Sequence, residues 1–197
     1  MKKLIITGFE PFGGETINPS WEAVDRLPSE IGEYSLIKLL IPVIFKKAPD
    51  MVLDLANKIH PDAIICVGQA GGTHPISVEY VGINLRHAII PDNDGNQPTD
   101  EPINPGGNAA YFSTLPVRKM SDAINKSGIL SRVSYSAGTY VCNEVLYTLL
   151  SHFDGSKTKV GFIHIPYSAE QNKEPFMDIN DIINGLVVAI ENMDKSE

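Results

Sequence analysis

The chain has 197 residues, 43% of them hydrophobic and 20% charged, and 16 Lys and Arg stand against 24 Asp and Glu for a net charge of −8. This composition excludes collagen-like, disordered and coiled-coil chains, and the negative balance argues against a general binder of nucleic-acid backbones. The two cysteines, Cys66 and Cys142, cannot make a disulfide framework or, by themselves, a structural zinc site.

In chain order, Lys3 to Thr7 reads as a buried strand, followed by a Gly/Pro-rich loop from Phe9 to Pro19. Its apolar run, Leu4-Ile5-Ile6, is too short for a signal peptide or a membrane span, so a reducing, cytoplasmic setting is expected. Ser20 to Leu27 reads as a short helix, Tyr34 to Val43 as a strand, and Phe45 to Ile59 as a helix ending before Pro61. Ala63 to Val67 is a third strand, and Ile76 to Leu85 alternates as a strand or hairpin arm. Pro91 to Gly107 is a long polar loop, which inside a compact domain suggests a functional or interfacial role. A helix at Val117–Lys126, a strand at Arg132–Tyr135, a helix at Tyr140–Phe153, a strand at Lys159–Ile165 and a helix at Asp178–Met193 complete the pattern. Strands alternating with helices predict an α/β fold with a mostly parallel sheet. Without repeats or linkers, one domain over 1–197 is the simplest organisation. In such folds sites gather beyond the C-terminal ends of strands. That rule selects the loops at Phe9–Pro19, Gly68–Pro75 and Ser136–Cys142, and the stretch from Pro166 onward.

Cys142 follows Ser136-Ala137-Gly138-Thr139-Tyr140-Val141 and precedes a helical pattern, so it stands near a helix N-terminus. The dipole and free N–H groups there favour a thiolate and can also hold an oxyanion. The ordinary alternative is a buried thiol packing as a small apolar side chain. Cys66 lies inside the apolar strand Ala63-Ile64-Ile65-Cys66-Val67 and reads as inert core. Of five histidines, His164 alone is embedded near the end of an apolar strand, where a polar ring needs a partner or a task. Glu79, in Ile76-Ser77-Val78-Glu79, is chemically able to orient an imidazole, although a strand glutamate commonly faces solvent. Gly8 to Gly14 has the glycine spacing of a phosphate loop but lacks its Lys and Ser/Thr. Asp92 to Asn96 lacks the twelfth-position Glu of a calcium loop.

Several segments together resemble one family. They are Gly8-Phe9-Glu10-Pro11-Phe12 with Asn18-Pro19-Ser20-Trp21, Gly68-Gln69-Ala70-Gly71-Gly72, Ile90-Pro91-Asp92-Asn93-Asp94-Gly95 and Ala110 to Val117. Ser136 to Asn143 is similar to the cysteine motif of the pyroglutamyl peptidase I family, and Gly161 to Tyr167 to its histidine motif. The resemblance runs in order over nearly the whole chain. It implies a three-layer α/β/α sandwich and a cytosolic cysteine peptidase that removes N-terminal pyroglutamate, with no metal or cofactor. Cys142 would be the nucleophile, His164 the base and Glu79 its orienting partner. The resemblance assigns the lactam slot to Phe9, Phe12, Gln69, Tyr140 and Val141, with two aromatic faces sandwiching the ring and Asn18 supporting the loop. It implies pyroglutamylated peptides as partners, neither nucleic acid nor membrane, and a homodimer or homotetramer.

Six positions depart from the family's usual residues: Thr73, Tyr80 and Ile89 stand where basic residues are common, Tyr135 where Asn is usual, Tyr140 where Phe is and Glu144 where His is. Arg86 lies three positions from Ile89, so on an extended strand it would face the other way. These departures leave open a weakened paralogue that binds without efficient turnover, or a hydrolase of shifted specificity.

Overall fold

A computed structural model describes residues 1–194; the last three residues of the expected domain lie outside the described residues. The elements, in chain order, are β1 (Lys2–Phe9), α1 (Pro19–Arg26), β2 (Glu30–Ile31), β3 (Tyr34–Ile41), α2 (Lys47–Ile59), β4 (Ala63–Gln69), β5 (Ile76–Glu79), β6 (Val81–Ile83), β7 (Ala110–Phe112), α3 (Val117–Lys126), β8 (Ser131–Ser134), α4 (Val141–His152), β9 (Lys159–Ile165), β10 (Tyr167–Ser168), β11 (Phe176–Met177) and α5 (Ile179–Glu191).

The central sheet has the order β2-β3-β1-β4-β9-β5-β8. Its β3-β1-β4-β9 run is parallel, as is β5-β8, while β2 against β3 and β5 against β9 are antiparallel. β1, β4 and β9 are wholly or nearly wholly buried, as apolar runs covered on both faces should be. Alternate side chains feed two separate cores. Leu4, Ile6, Ile65, Val67, Ile163 and Ile165 pack with α1, α3 and α5. Ile5, Ile64, Cys66, Val160 and Phe162 pack with α2 and α4. The architecture is therefore the three-layer α/β/α sandwich, mostly parallel, that the alternation and the resemblance implied.

Element boundaries agree with the sequence pattern to within two or three residues almost everywhere. The exception is Ile76–Leu85, expected as one strand or hairpin arm. It breaks at Tyr80: β5 joins the central sheet, and β6 leaves it to pair with β7. Burial explains the break. All of β5 is buried between β9 and β8, whereas β6 is only partly covered and runs against α4. Among the described residues no helix is long and apolar enough to cross a membrane.

Candidate active site

The site forms on the α2/α4 face, where four strands place one residue each in a lateral row. In register, Gly68 of β4 pairs with His164 of β9, His164 with Ser77 of β5, and Ser77 with Arg132 of β8. Glu79, two residues beyond Ser77, shares the face. Its Oε1 lies 2.8 Å from Nδ1 of His164, and their side chains are only 2% and 8% exposed. β5 runs antiparallel to β9, and this reversed insertion is what carries Glu79 to a histidine 85 residues away in sequence.

Cys142 comes to the same row from above, as the second residue of α4. The N-cap, Tyr140, provides no side-chain hydrogen bond, and the N–H groups of Val141, Cys142 and Asn143 precede the first intrahelical acceptor. The helix start is held by other means. Buried Asn143 donates from Nδ2 to the carbonyls of Ile83 and Leu85, both at 2.9 Å, and accepts from the Ile83 N–H at 3.0 Å. Thr139 exchanges hydrogen bonds with His87 through its carbonyl and its hydroxyl. Below, Gly68 leaves room for the sulfur. A Cβ there would lie 3.0 Å from Cys142 Sγ and 2.8 Å from the ring of Phe162.

Glu79 hydrogen-bonds the His164 ring, and Cys142 lines the same cavity beside it, near enough for its charge to act on the ring. Burial alone would favour the neutral ring. The neighbouring Cys142 and then Glu79 outweigh it and push the imidazolium up to about 10. Cys142, His164 and Glu79 thus stand in sequence, with the imidazole between them held toward its charged form. Burial pushes the Cys66 thiol the other way in function, up to about 12, with no such partner to hold its charge.

A cavity of about 300 Å³ opens beside these groups. Phe9, Phe12, Asn18, Gln69 and Tyr140 all line it with Glu79, Cys142 and His164, so the structure brings together every site residue expected from the sequence except one. Val141 does not line the cavity. Its side chain is 1% exposed and packs in the α4 core, leaving its backbone N–H as its link to the site. The Phe12 and Tyr140 rings are 6.2 Å apart and tilted by 40°, less than the ~7–8 Å that two stacked contacts of 3.5–4.0 Å occupy. They stand as adjoining walls. Asn18 orders the first loop: its Oδ1 accepts from the Ser20 N–H and hydroxyl, its Nδ2 donates to the Glu10 carbonyl, and Ser20 Oγ accepts from the Phe9 N–H. Gln69 Oε1 accepts from Gln171 Nε2 at 2.9 Å, which fixes the amide.

The long loop contributes from behind. Asp92 accepts from the N–H groups of Phe45, Asp94 and Asn96 and from the Asn96 amide; although burial opposes it, these bonds hold its carboxyl below the usual range. The Tyr140 hydroxyl donates to the Pro91 carbonyl at 3.0 Å, and Phe45 meets the Tyr140 ring edge-on at 5.4 Å. No residue from Pro91 to Gly107 lines the cavity; the loop braces its aromatic wall. Sequence reading did not single out Arg132, Ser77 or Asn143. A buried asparagine in a helix's first turn was the available signal for the last, whereas Arg132 and Ser77 are set by strand pairing alone. Among the described residues no group of three or more His, Cys, Asp and Glu side chains could hold a metal ion.

The pyroglutamyl peptidase family model matches residues 2–196. The chain belongs to that family. It is 47% identical over 195 residues to the pyrrolidone-carboxylate peptidase of Staphylococcus saprophyticus, covering 96% of this chain and 92% of that protein. It is also 47% identical over 194 residues to the one from Thermococcus kodakarensis, covering 96% and 94%. The fold superposes on crystalline pyroglutamyl peptidase I of Bacillus amyloliquefaciens with a TM-score of 0.93 at 45% identity, over 98% of this chain and 97% of that one.

Four of the six departures from usual family residues lie off the cavity; Thr73 and Tyr140 line it. Ile89 is 87% exposed. Tyr80 packs its ring against Phe112 and Tyr135. Glu144 is buried, takes the Lys46 N–H on one oxygen and Arg86 on the other, both at 2.7 Å. Arg86 thus faces Glu144 and Glu101, away from the cavity, as its spacing from Ile89 suggested.

Proposed function

We propose that this pyroglutamyl peptidase family member is a cysteine exopeptidase that removes the N-terminal pyroglutamyl residue from peptides, with Cys142, His164 and Glu79 as its catalytic residues. The observation that carries the reading is the buried Glu79–His164 pair on the same cavity as Cys142, which stands at an uncapped helix start. The Cys142 thiolate attacks the pyroglutamyl carbonyl carbon, and the electron pair of the C=O bond moves onto oxygen. The N–H groups of the first turn of α4 face that charge as it develops. Collapse expels the peptide amine, which takes the proton from the His164 imidazolium, and leaves a thioester on Cys142. His164, now neutral, removes a proton from water. The hydroxide adds to the thioester and the thiolate leaves, which restores the thiolate–imidazolium pair. Glu79 accepts the Nδ1–H hydrogen bond throughout, without taking the proton, and keeps the other ring nitrogen for this traffic.

Substrate choice follows from the cavity. A pyroglutamyl ring is a flat, uncharged lactam, so apolar walls from Phe9, Phe12 and Tyr140 suit its carbons, and the amide of Gln69 suits its N–H and carbonyl. Tyr140 remains a hydroxyl through neutral pH, because burial and then the nearby Asp92 charge push it up to about 12. The chemistry asks for no metal or cofactor. A single peptidase domain over 1–197, a homodimer or homotetramer and a cytoplasmic setting belong to the same proposal, and sedimentation of the purified chain reads the assembly. The activity is tested with a pyroglutamyl-aminocoumarin substrate on wild type, on thiol-alkylated protein and on Cys142→Ala. Turnover by wild type alone is expected; equal turnover by Cys142→Ala would reject the mechanism.

A further inference from the structure

The catalytic row continues past His164 to a cation that this mechanism does not use. Arg132 lines the cavity as its one Lys or Arg side chain among the described residues. It stands on β8 opposite Ser77, which stands opposite His164. Its Nε donates to Ser77 Oγ at 3.0 Å, and Ser77 is 2% exposed, so a buried hydroxyl aims the guanidinium back along the row. The two terminal nitrogens have no protein partner among the described residues. A planar, permanently charged fork is thus oriented at the wall of the cavity, with its terminal nitrogens open to solvent and to an incoming ligand.

Its position has a direction. Phe9 ends β1, Cys142 overlies Gly68 of β4, His164 is on β9, Ser77 on β5 and Arg132 on β8, in the order of the sheet. Phe9, one wall of the ring slot, and Arg132 therefore lie on opposite sides of the nucleophile and its acid. The departing amine must meet His164, so the residue that carries it extends toward Ser77 and Arg132. Two strand spacings, about 10 Å, separate the β9 and β8 backbones, and the side chain bonded to Ser77 covers about half of that. One extended residue of about 3.5 Å with a short side chain covers the rest. The cavity's carboxylate, Glu79, is engaged by His164 and 2% exposed, so it offers an incoming anion little opposition.

We propose that Arg132 is a specificity-determining residue that selects substrates bearing a carboxylate on the residue released from the pyroglutamyl group. That carboxylate is either an acidic side chain or the free C-terminus of a pyroglutamyl dipeptide. The proposal rests on the peptidase reading above.

Two matched pairs separate the sources: pyroglutamyl-Glu-amide against pyroglutamyl-Gln-amide, and pyroglutamyl-Ala against pyroglutamyl-Ala-amide. The readout is the charged-to-neutral ratio of kcat/KM within each enzyme preparation, which cancels any loss common to both substrates. Wild type is expected to favour the charged member of at least one pair by about 5- to 30-fold, carried mainly in KM, as a charge-assisted hydrogen bond at a half-open site should. The ratio should shrink between about 20 and 500 mM salt as the charges are screened. Arg132→Gln should bring it close to one, Arg132→Lys should keep part of it, and Arg132→Glu should transfer the preference to pyroglutamyl-Lys-amide. A wild-type ratio below about 2 in both pairs, or a preference that survives in Arg132→Gln, would overturn the assignment while leaving the peptidase reading intact. Failure to cleave any of the four peptides would end that reading and this one with it.

Discussion

The two thiols of this chain share a face of the sheet and a hydrophobic layer, and their surroundings make them opposites. Cys66 points from the middle of β4 into the α2/α4 core, fully buried, one ladder position from Thr7. Two residues further along the same strand face is Gly68, and above its missing side chain sits Cys142. Cys66 has packing on all sides, so loss of its proton would place an unpaired charge in apolar surroundings. Cys142 is partly exposed, stands in the first turn of a helix and shares its cavity with an imidazole that Glu79 holds. The lesson is that burial depth alone does not set a thiol's role. A strand interior and a helix start a few ångströms away offer a sulfur opposite electrostatics.

The largest break in this contrast should come from Cys142→Ala, with kcat for a pyroglutamyl substrate falling by about 10⁴-fold or more while the fold persists by circular dichroism. Glu79→Gln keeps the shape but removes the charge behind His164 and offers it an amide donor. We expect a loss of about 10³-fold in kcat with little change in KM, measured by steady-state kinetics. Gly68→Ala pushes directly between the two thiol environments. Its Cβ would meet Phe162 at 2.8 Å and Cys142 Sγ at 3.0 Å, so the sulfur or the ring must move, and a drop of about 10- to 100-fold in kcat should follow.

Proton linkage gives a further handle. Raised from 6.5 to about 10, the folded His164 contributes stability that is fully present below pH 6.5 and is lost as pH rises through about 10. Wild type should therefore lose thermal stability between about pH 6.5 and 10 more steeply than Cys142→Ala, which lacks the thiolate, and the His164 NMR titration midpoint should fall in that variant. The smallest effect is expected from Cys66→Ala. Trimming one buried sulfur should cost about 1 kcal/mol in chemical denaturation and change kcat by less than about twofold.

Much of the fold was legible because its signals are local. Ala63–Val67 and Lys159–Ile165 are apolar runs of strand length, and both are central strands. Val117–Lys126 carries helical spacing and is α3 as expected. The break at Tyr80 was not legible, because Ile76–Leu85 alternates continuously. What divides it is the change of partner, β9 and β8 before Tyr80 and β7 after it, a property of strand pairing and not of the segment itself. Val141 was similarly ambiguous. Its neighbours Tyr140 and Cys142 face the cavity while its own side chain turns into the core, because successive residues of a helix point about 100° apart.

By itself, then, the sequence determined the main strands and helices, that Cys66 is strand interior and that Cys142 opens a helix, but not the short strands β2, β7, β10 and β11 or the break at Tyr80. Periodicity, capping and burial are written into neighbouring residues. Only the tertiary structure decided that β5 enters the sheet antiparallel between β9 and β8. That insertion puts Glu79 on His164, Ser77 between His164 and Arg132, and a guanidinium at the far wall of the cavity. Pairing between residues 85 apart is fixed by how whole layers bury their surfaces, and no short stretch of chain carries that information.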